Sequence, residues 1–201
     1  LQIDRDKING ILRGVLEKNN IFLGTYTVWE PNALDGLDDL YAGTEGHDQT
    51  GRFIPYWNRS EDGVIKLDPL MDYESQETYE NGVRKGDYYL LPRERQKECA
   101  IDPYAYPIQG KLVWMTSLVV PIMVDTTFYG ITGVDLRLNF IQSLVEQMDK
   151  AFYSGAGKIA IISHNGILAA ASDKPELVGK PLTKWSDDWQ EDFEAIQAGK
   201  E

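Results

Sequence analysis

The spacing of apolar positions changes several times along the chain, and each change marks an element. Ile3, Ile8, Ile11, Leu12, Val15 and Leu16 recur at helical intervals, predicting an amphipathic helix that ends near Asn19-Asn20. Ile21–Trp29 reads as a strand rich in β-branched and aromatic residues. Glu30–Asp48 is acidic and broken by Pro31, Gly36, Gly43 and Gly46, so it predicts irregular chain. Arg52–Trp57 predicts a short strand, with Pro55 marking an edge or a bulge. Ser60–Gly86 is long, polar and punctuated by Gly63, Pro69 and Gly82, which predicts a lid, a binding loop or a partly structured segment. Asp87–Leu91 predicts one helical turn stopped by Pro92, and Cys99–Tyr106 a third strand.

The most apolar region follows. Lys111–Val124 and Phe128–Leu136 are separated by Asp125-Thr126-Thr127 and predict an antiparallel hairpin. Neither run alternates cleanly, so both faces of its sheet are expected to be covered. Asp135 stands inside the second run, in Gly133-Val134-Asp135-Leu136. A carboxylate there is costly unless a partner, protein or ligand, meets it. Leu138–Phe152 predicts an amphipathic helix with Leu138, Ile141, Leu144, Val145 and Met148 on one face. After a break of small residues at 153–157, two apolar runs flank His164-Asn165-Gly166, a strong hairpin signal. Trp185–Gln197 predicts a helical tail. The fold class is α+β on an antiparallel sheet. Residues 1–156 form a first module, and 157–201 begin a second, incomplete one.

With 201 residues, 42% of them hydrophobic, the chain can bury one ordinary core. A net charge of −12 excludes nucleic acid as a partner, because phosphate binding needs a basic surface. Such a charge draws cations weakly, although its plain role is solubility. Cys99 is the only cysteine, so no internal disulfide forms. No apolar run reaches membrane-spanning length and no signal peptide is visible. Both ends read as cut from something longer.

No catalytic residues, cofactor or metal are expected. The two histidines, His47 and His164, fall in different modules. Ser154–Lys158 lacks P-loop spacing, and no Gly-x-Ser-x-Gly elbow is present. The acidic stretch from Glu30 to Asp48 matches no Ca²⁺ loop.

The ordered set GRFIPYW, DYYLLP, DPYAYPIQGKLVWMTSLVVPI and FYGITGVDL resembles the double Cache (PAS-like, PDC) extracytoplasmic sensor domains. These belong to bacterial and archaeal chemoreceptors (methyl-accepting chemotaxis proteins) and sensor histidine kinases. The resemblance covers Leu1–Ala151 as the membrane-distal module with its entering helix, and Gly157–Glu201 as the start of the membrane-proximal one. It implies a PAS-like antiparallel sheet, a long N-terminal helix and a small-molecule ligand in the distal module. It also implies a membrane-anchored, homodimeric parent with this portion periplasmic or extracellular. The fragment alone is expected to be monomeric or weakly dimeric.

In family members that bind amino acids, an Arg-x-Trp-Tyr element holds the carboxylate and an Asp in Gly-Val-Asp holds the ammonium. Tyr88-Tyr89 stand at the Trp-Tyr place and Asp135 at the Asp, but Gly86 stands at the Arg, with Arg84 two residues earlier. The resemblance therefore points to a small amine or amino acid.

The expected ligand contacts are Asp135, Tyr89 and Tyr104, then Trp57, Tyr88 and Tyr56. Asp102 is a second ammonium acceptor and Thr116 a hydroxyl contact. Tyr106 is a further face for an aromatic cage; each face would add roughly 0.5–2 kcal/mol to a bound cation, and the plain alternative is core packing. Trp114 is expected behind the sheet. Asp68, Asp72 and Tyr73 join the site if the long insertion folds over it. Two other readings remain. One is a carboxylate anion held by Arg52, Arg59 or Arg84. The other is a ligand-free dimerisation module whose pocket is filled by its own side chains.

Overall fold

The structure, a computed structural model, describes residues 4–185 and 194–195. Helix α1 (Arg5–Lys18) begins where the Asp4 carboxylate accepts the Lys7 N–H at 2.8 Å, with Asp6 in its first turn and Lys18 in its last. Its inner face carries Leu12 and Leu16, both buried. Polar anchors follow the same face. The Thr25 hydroxyl donates to the Leu12 carbonyl at 2.8 Å, the Trp57 indole N–H to Asn9 Oδ1 at 3.0 Å, and Arg59 to the Leu16 carbonyl. At the helix start, Arg5 is 3% exposed. It donates to both carboxylate oxygens of Asp35, to Asp38 and to the Gly51 carbonyl.

The sheet then builds in chain order. β1 (Phe22–Trp29) precedes the short α2 (Asp38–Tyr41), β2 (Pro55–Arg59) and β3 (Ile65–Pro69). α3 (Asp87–Arg95) leads to β4 (Cys99–Ala100), β5 (Tyr104–Ile108), β6 (Lys111–Val124) and β7 (Thr127–Arg137). The order across the sheet is β3-β2-β1-β7-β6-β4, with β5 also on β6, and every pairing is antiparallel. α4 (Leu138–Tyr153) follows, then a separate ladder of β8 (Ala160–Ile162) and β9 (Leu168–Ala171). The Gln142 side chain ties α4 to this ladder, donating to the Ala171 carbonyl and accepting its N–H, each at 2.9 Å. The tail expected over Trp185–Gln197 lies largely outside the described residues.

Several expectations need correction. Of the alternatives for 60–86 the partly structured one holds: β3 pairs with β2 along its whole length. β2 is therefore an interior strand, and Pro55 is tolerated because it opens the strand opposite Pro69. α3 does not stop before Pro92 but runs to Arg95. Burial of Tyr88, Tyr89, Leu90 and Pro92 holds it, and Gln96, in the left-handed region at φ 51°, closes it with an N–H to the Pro92 carbonyl. The third strand is two pieces, β4 and β5, both on β6 and split at Asp102-Pro103. β6 alternates after all: Met115, Ser117 and Val119 are buried, while Leu118 and Val120 are 46% and 47% exposed. One face of the sheet is covered there and the other is partly open.

The closed face carries the main core. Leu23, Tyr26, Val28, Tyr56, Met115, Val119 and Ile131 from the sheet meet Leu70, Tyr73 and Val83 of the insertion and Tyr88–Leu90 of α3.

Candidate ligand-binding site

Asp135 lies on β7 between Gly24 of β1 and Ser117 of β6, at the centre of the sheet. It is 2% exposed. Tyr56 Oη and Ser117 Oγ each donate to its carboxylate at 2.6 Å, and Tyr104 Oη meets Ser117 Oγ at 2.7 Å. Among the described residues no Lys or Arg pairs with it. Burial pushes its pKa up to about 6, against the lowering pull of the two hydroxyls.

Four tyrosine rings close a circuit beside this carboxylate. Tyr26 meets Tyr56 edge-on at 5.9 Å, Tyr56 meets Tyr106 at 5.8 Å, Tyr106 meets Tyr88 at 6.3 Å, and Tyr88 meets Tyr26 at 5.9 Å. Tyr104 joins from the side, edge-on to Tyr106. Two glycines make room. A Cβ at Gly24 would lie 2.3 Å from the Tyr56 ring, and one at Gly133 would lie 2.6 Å from the Tyr26 ring. Tyr26 Oη is buried and makes no hydrogen bond among the described residues, although Ser117 and Asp135 are near. Burial, then the Asp135 charge, holds the Tyr26, Tyr56 and Tyr104 phenols well above their ordinary pKa, so all stay neutral.

The insertion lies over these rings. The Met71 N–H donates to Tyr106 Oη at 2.9 Å, Tyr88 Oη donates to the Met71 carbonyl at 2.5 Å, and Tyr79 stacks on Tyr104. A cavity of about 230 Å³, lined by Tyr56, Asp68, Met71 and Tyr106 among others, opens from the circuit to the surface. Asp68 is the cross-strand partner of Tyr56 and shares its face. The charge of Asp72 is felt at Tyr79 and Tyr106, adding to the burial that raises both phenols.

Of the expected contacts, Asp135, Tyr56, Tyr88 and Tyr104 are brought together. Four others are placed elsewhere. Trp57 shares a face with its partner Thr25 and bonds α1. Thr116 is one residue out of phase with Ser117 and donates to the Ile101 carbonyl. Tyr89 turns to the other side of α3, accepting from Arg52 at 2.8 Å and donating to Glu30. Asp102 accepts from Asn165 at the tip of the β8–β9 hairpin. Tyr73 bonds Asp48, away from the circuit.

Two residues at the site, Tyr26 and Ser117, were missed. Both lie two residues from an inward neighbour, Gly24 and Met115, so knowing the inward parity would have found them. None of the three arginines of the carboxylate reading reaches the circuit's carboxylate. Arg52 is held by the Trp29 carbonyl, Glu74 and Tyr89. Arg59 is held by Leu16, and Arg84 by Asp87 and Glu94.

Residues 8–143 match the family described as methyl-accepting chemotaxis protein-like, first PDC sensor domain. The chain belongs to that family. This PDC sensor domain is 33% identical over 184 residues to the methyl-accepting chemotaxis protein TlpQ of Pseudomonas aeruginosa, covering 90% of the chain but 26% of that relative's length. It superposes on the extracellular domain of the histidine kinase mmHK1S-Z3 with a TM-score of 0.79 and 30% identity, over 98% of the chain and 67% of that structure. The ligand-binding domain of the Campylobacter jejuni chemoreceptor Tlp3, solved with L-valine, shares the fold with a TM-score of 0.53 and 15% identity, over 87% of the chain and 54% of that structure. The PDC domain is thus a sensory domain of the chemoreceptor and histidine kinase class, and no helix among its described residues is long and apolar enough to cross a membrane.

Proposed function

We propose that this PDC sensor domain is the extracytoplasmic, ligand-binding part of a membrane-anchored, homodimeric receptor. Its ligand is a small amine, with its ammonium on Asp135 and its carbon body among Tyr26, Tyr56, Tyr88, Tyr104 and Tyr106. The binding module is residues 1–156, and 157–201 begin a second module. The observation that carries the reading is a buried carboxylate with two hydroxyl donors and, among the described residues, no Lys or Arg beside it. A buried charge of this kind is satisfied by an opposite charge. The tyrosine faces add cation–π attraction of about 0.5–2 kcal/mol each.

An amine is favoured over an amino acid because no arginine stands beside Asp135 to take a carboxylate. The same lack weakens the anion reading. The unpartnered Tyr26 hydroxyl weighs against a pocket designed only to pack on itself. The L-valine complex of Tlp3 lends general support to an ammonium-bearing ligand. Isothermal calorimetry with primary amines, amino acids and small carboxylates tests the proposal. Heat is expected from amines and its loss in Asp135→Ala. Binding confined to carboxylates would falsify it.

A further inference from the structure

A second concavity lies outside the tyrosine circuit. It forms where the 79–81 turn of the insertion, the outward face of β5–β6 and the 179–181 segment after β9 meet, and it encloses about 730 Å³. That volume is in the range of small-molecule sites. Its floor is apolar and unusually open for such residues: Trp114 is 39% exposed and Leu112 75%.

The floor is preformed. Gly179, at φ 81°, brings its backbone against the Trp114 ring, where a Cβ would lie only 2.6 Å away. The facing turn is held by the Asn81 amide, which donates to the Pro103 carbonyl at 2.7 Å. Two charges of opposite sign, Glu80 and Lys180, line the cleft, and neither side chain has a partner among the described residues. Tyr79 lines it too, and stacks on Tyr104 with ring centroids 5.7 Å apart.

We infer that this cleft binds a zwitterionic aromatic molecule of the aromatic amino-acid class. The ring rests on Trp114 and Leu112, the ammonium faces Glu80 and the carboxylate faces Lys180. An apolar floor with one anion and one cation beside it matches that chemistry, whereas a simple amine would leave Lys180 unpaired. The site is separate from Asp135 and does not depend on what the tyrosine circuit holds.

The test is calorimetry of the 201-residue chain with L-tryptophan and L-phenylalanine. It is repeated on Glu80→Lys, Lys180→Glu, Ala105→Trp and Asp135→Ala. Both charge reversals are at exposed positions, where substitutions are expected to leave folding intact. Binding is expected in the parent, weakened about tenfold or more by either reversal. Ala105→Trp, which fills the cleft beside its strand partner Trp114, is expected to abolish binding. Asp135→Ala is expected to leave it within about twofold. Loss of binding in Asp135→Ala with retention in both reversals would place the ligand in the tyrosine circuit and overturn the inference. So would the absence of heat up to about 10 mM, or equal affinity for an uncharged indole.

Discussion

Tyr56 reaches across an entire strand to Asp135: it stands on β2, its partner on β7, and its ring passes over Gly24 of the intervening β1. The 2.6 Å bond at the end of that span exists only because position 24 carries no side chain. Gly24→Ala places a Cβ 2.3 Å from the ring and displaces it. The expected result is a stability loss of about 1–3 kcal/mol in urea melts, with at least a tenfold loss of amine affinity. A variant with parental affinity would show that Tyr56 need not reach Asp135.

The raised pKa of Asp135 is a statement about stability. Its carboxyl moves from 3.8 to about 6 through burial. Between those values the folded chain holds a proton that the unfolded chain has released. Stability from this group is therefore greatest below pH 4, falls as pH rises through about 6, and is level above. The span is about 3 kcal/mol. Asp135→Asn should remove this slope and raise the melting temperature of the ligand-free chain at pH 8 by several degrees. Thermal melts from pH 4 to 8 check it; a parental slope in the variant would reassign the titration.

Ligand affinity should move the opposite way with pH. An ammonium needs the ionised carboxylate, so amine binding is full above pH 7 and weakens as pH falls through about 6. Below that point the loss approaches tenfold per unit. Calorimetry in two buffers of different ionisation enthalpy should also detect proton release near pH 6.

Tyr26→Phe separates packing from binding. It deletes a buried hydroxyl that has no partner, so the empty domain should keep its stability or gain up to about 1 kcal/mol. If the hydroxyl meets the ligand, affinity falls while stability does not. Urea melts and calorimetry on one preparation read both.

Much of this site was legible in the sequence, and what was not has one physical cause. The apolar runs, the awkward Asp135 and the hairpins could be read from residue types alone. The inward parity of each strand could not. Thr116 and Ser117 are neighbours with interchangeable chemistry, yet only Ser117 stands opposite Asp135, and a slip of one residue exchanges them. Trp57 and Tyr56 differ in the same way, one facing α1 and the other the circuit. Tyr26 lay in a run buried on both faces, where alternation gives no signal. β3 was hidden because the sequence of the insertion is polar, and its pairing with β2 is set by tertiary contact rather than by propensity.

Arg5→Ala should be among the most damaging single changes. It leaves Asp38, whose side chain is 6% exposed, without its cation, and such losses cost about 3–5 kcal/mol. Lysine should not rescue it, because one ammonium cannot serve Asp35, Asp38 and the Gly51 carbonyl together. Equilibrium unfolding of both variants decides this.

The anchors along α1 fall at Arg5, Asn9, Leu12 and Leu16, one stripe of the helix at intervals of three and four. Together they act as a key in a keyway. A stroke of the helix along its own axis would have to break the three bonds to Trp57, Thr25 and Arg59 of the sheet, and Arg5's bonds to the 35–51 segment, at once, whereas a tilt of helix and sheet together breaks none of the three. Any movement that begins at the tyrosines and leaves the domain through α1 is therefore transmitted as a swing of a rigid arm and not as the slide of a piston.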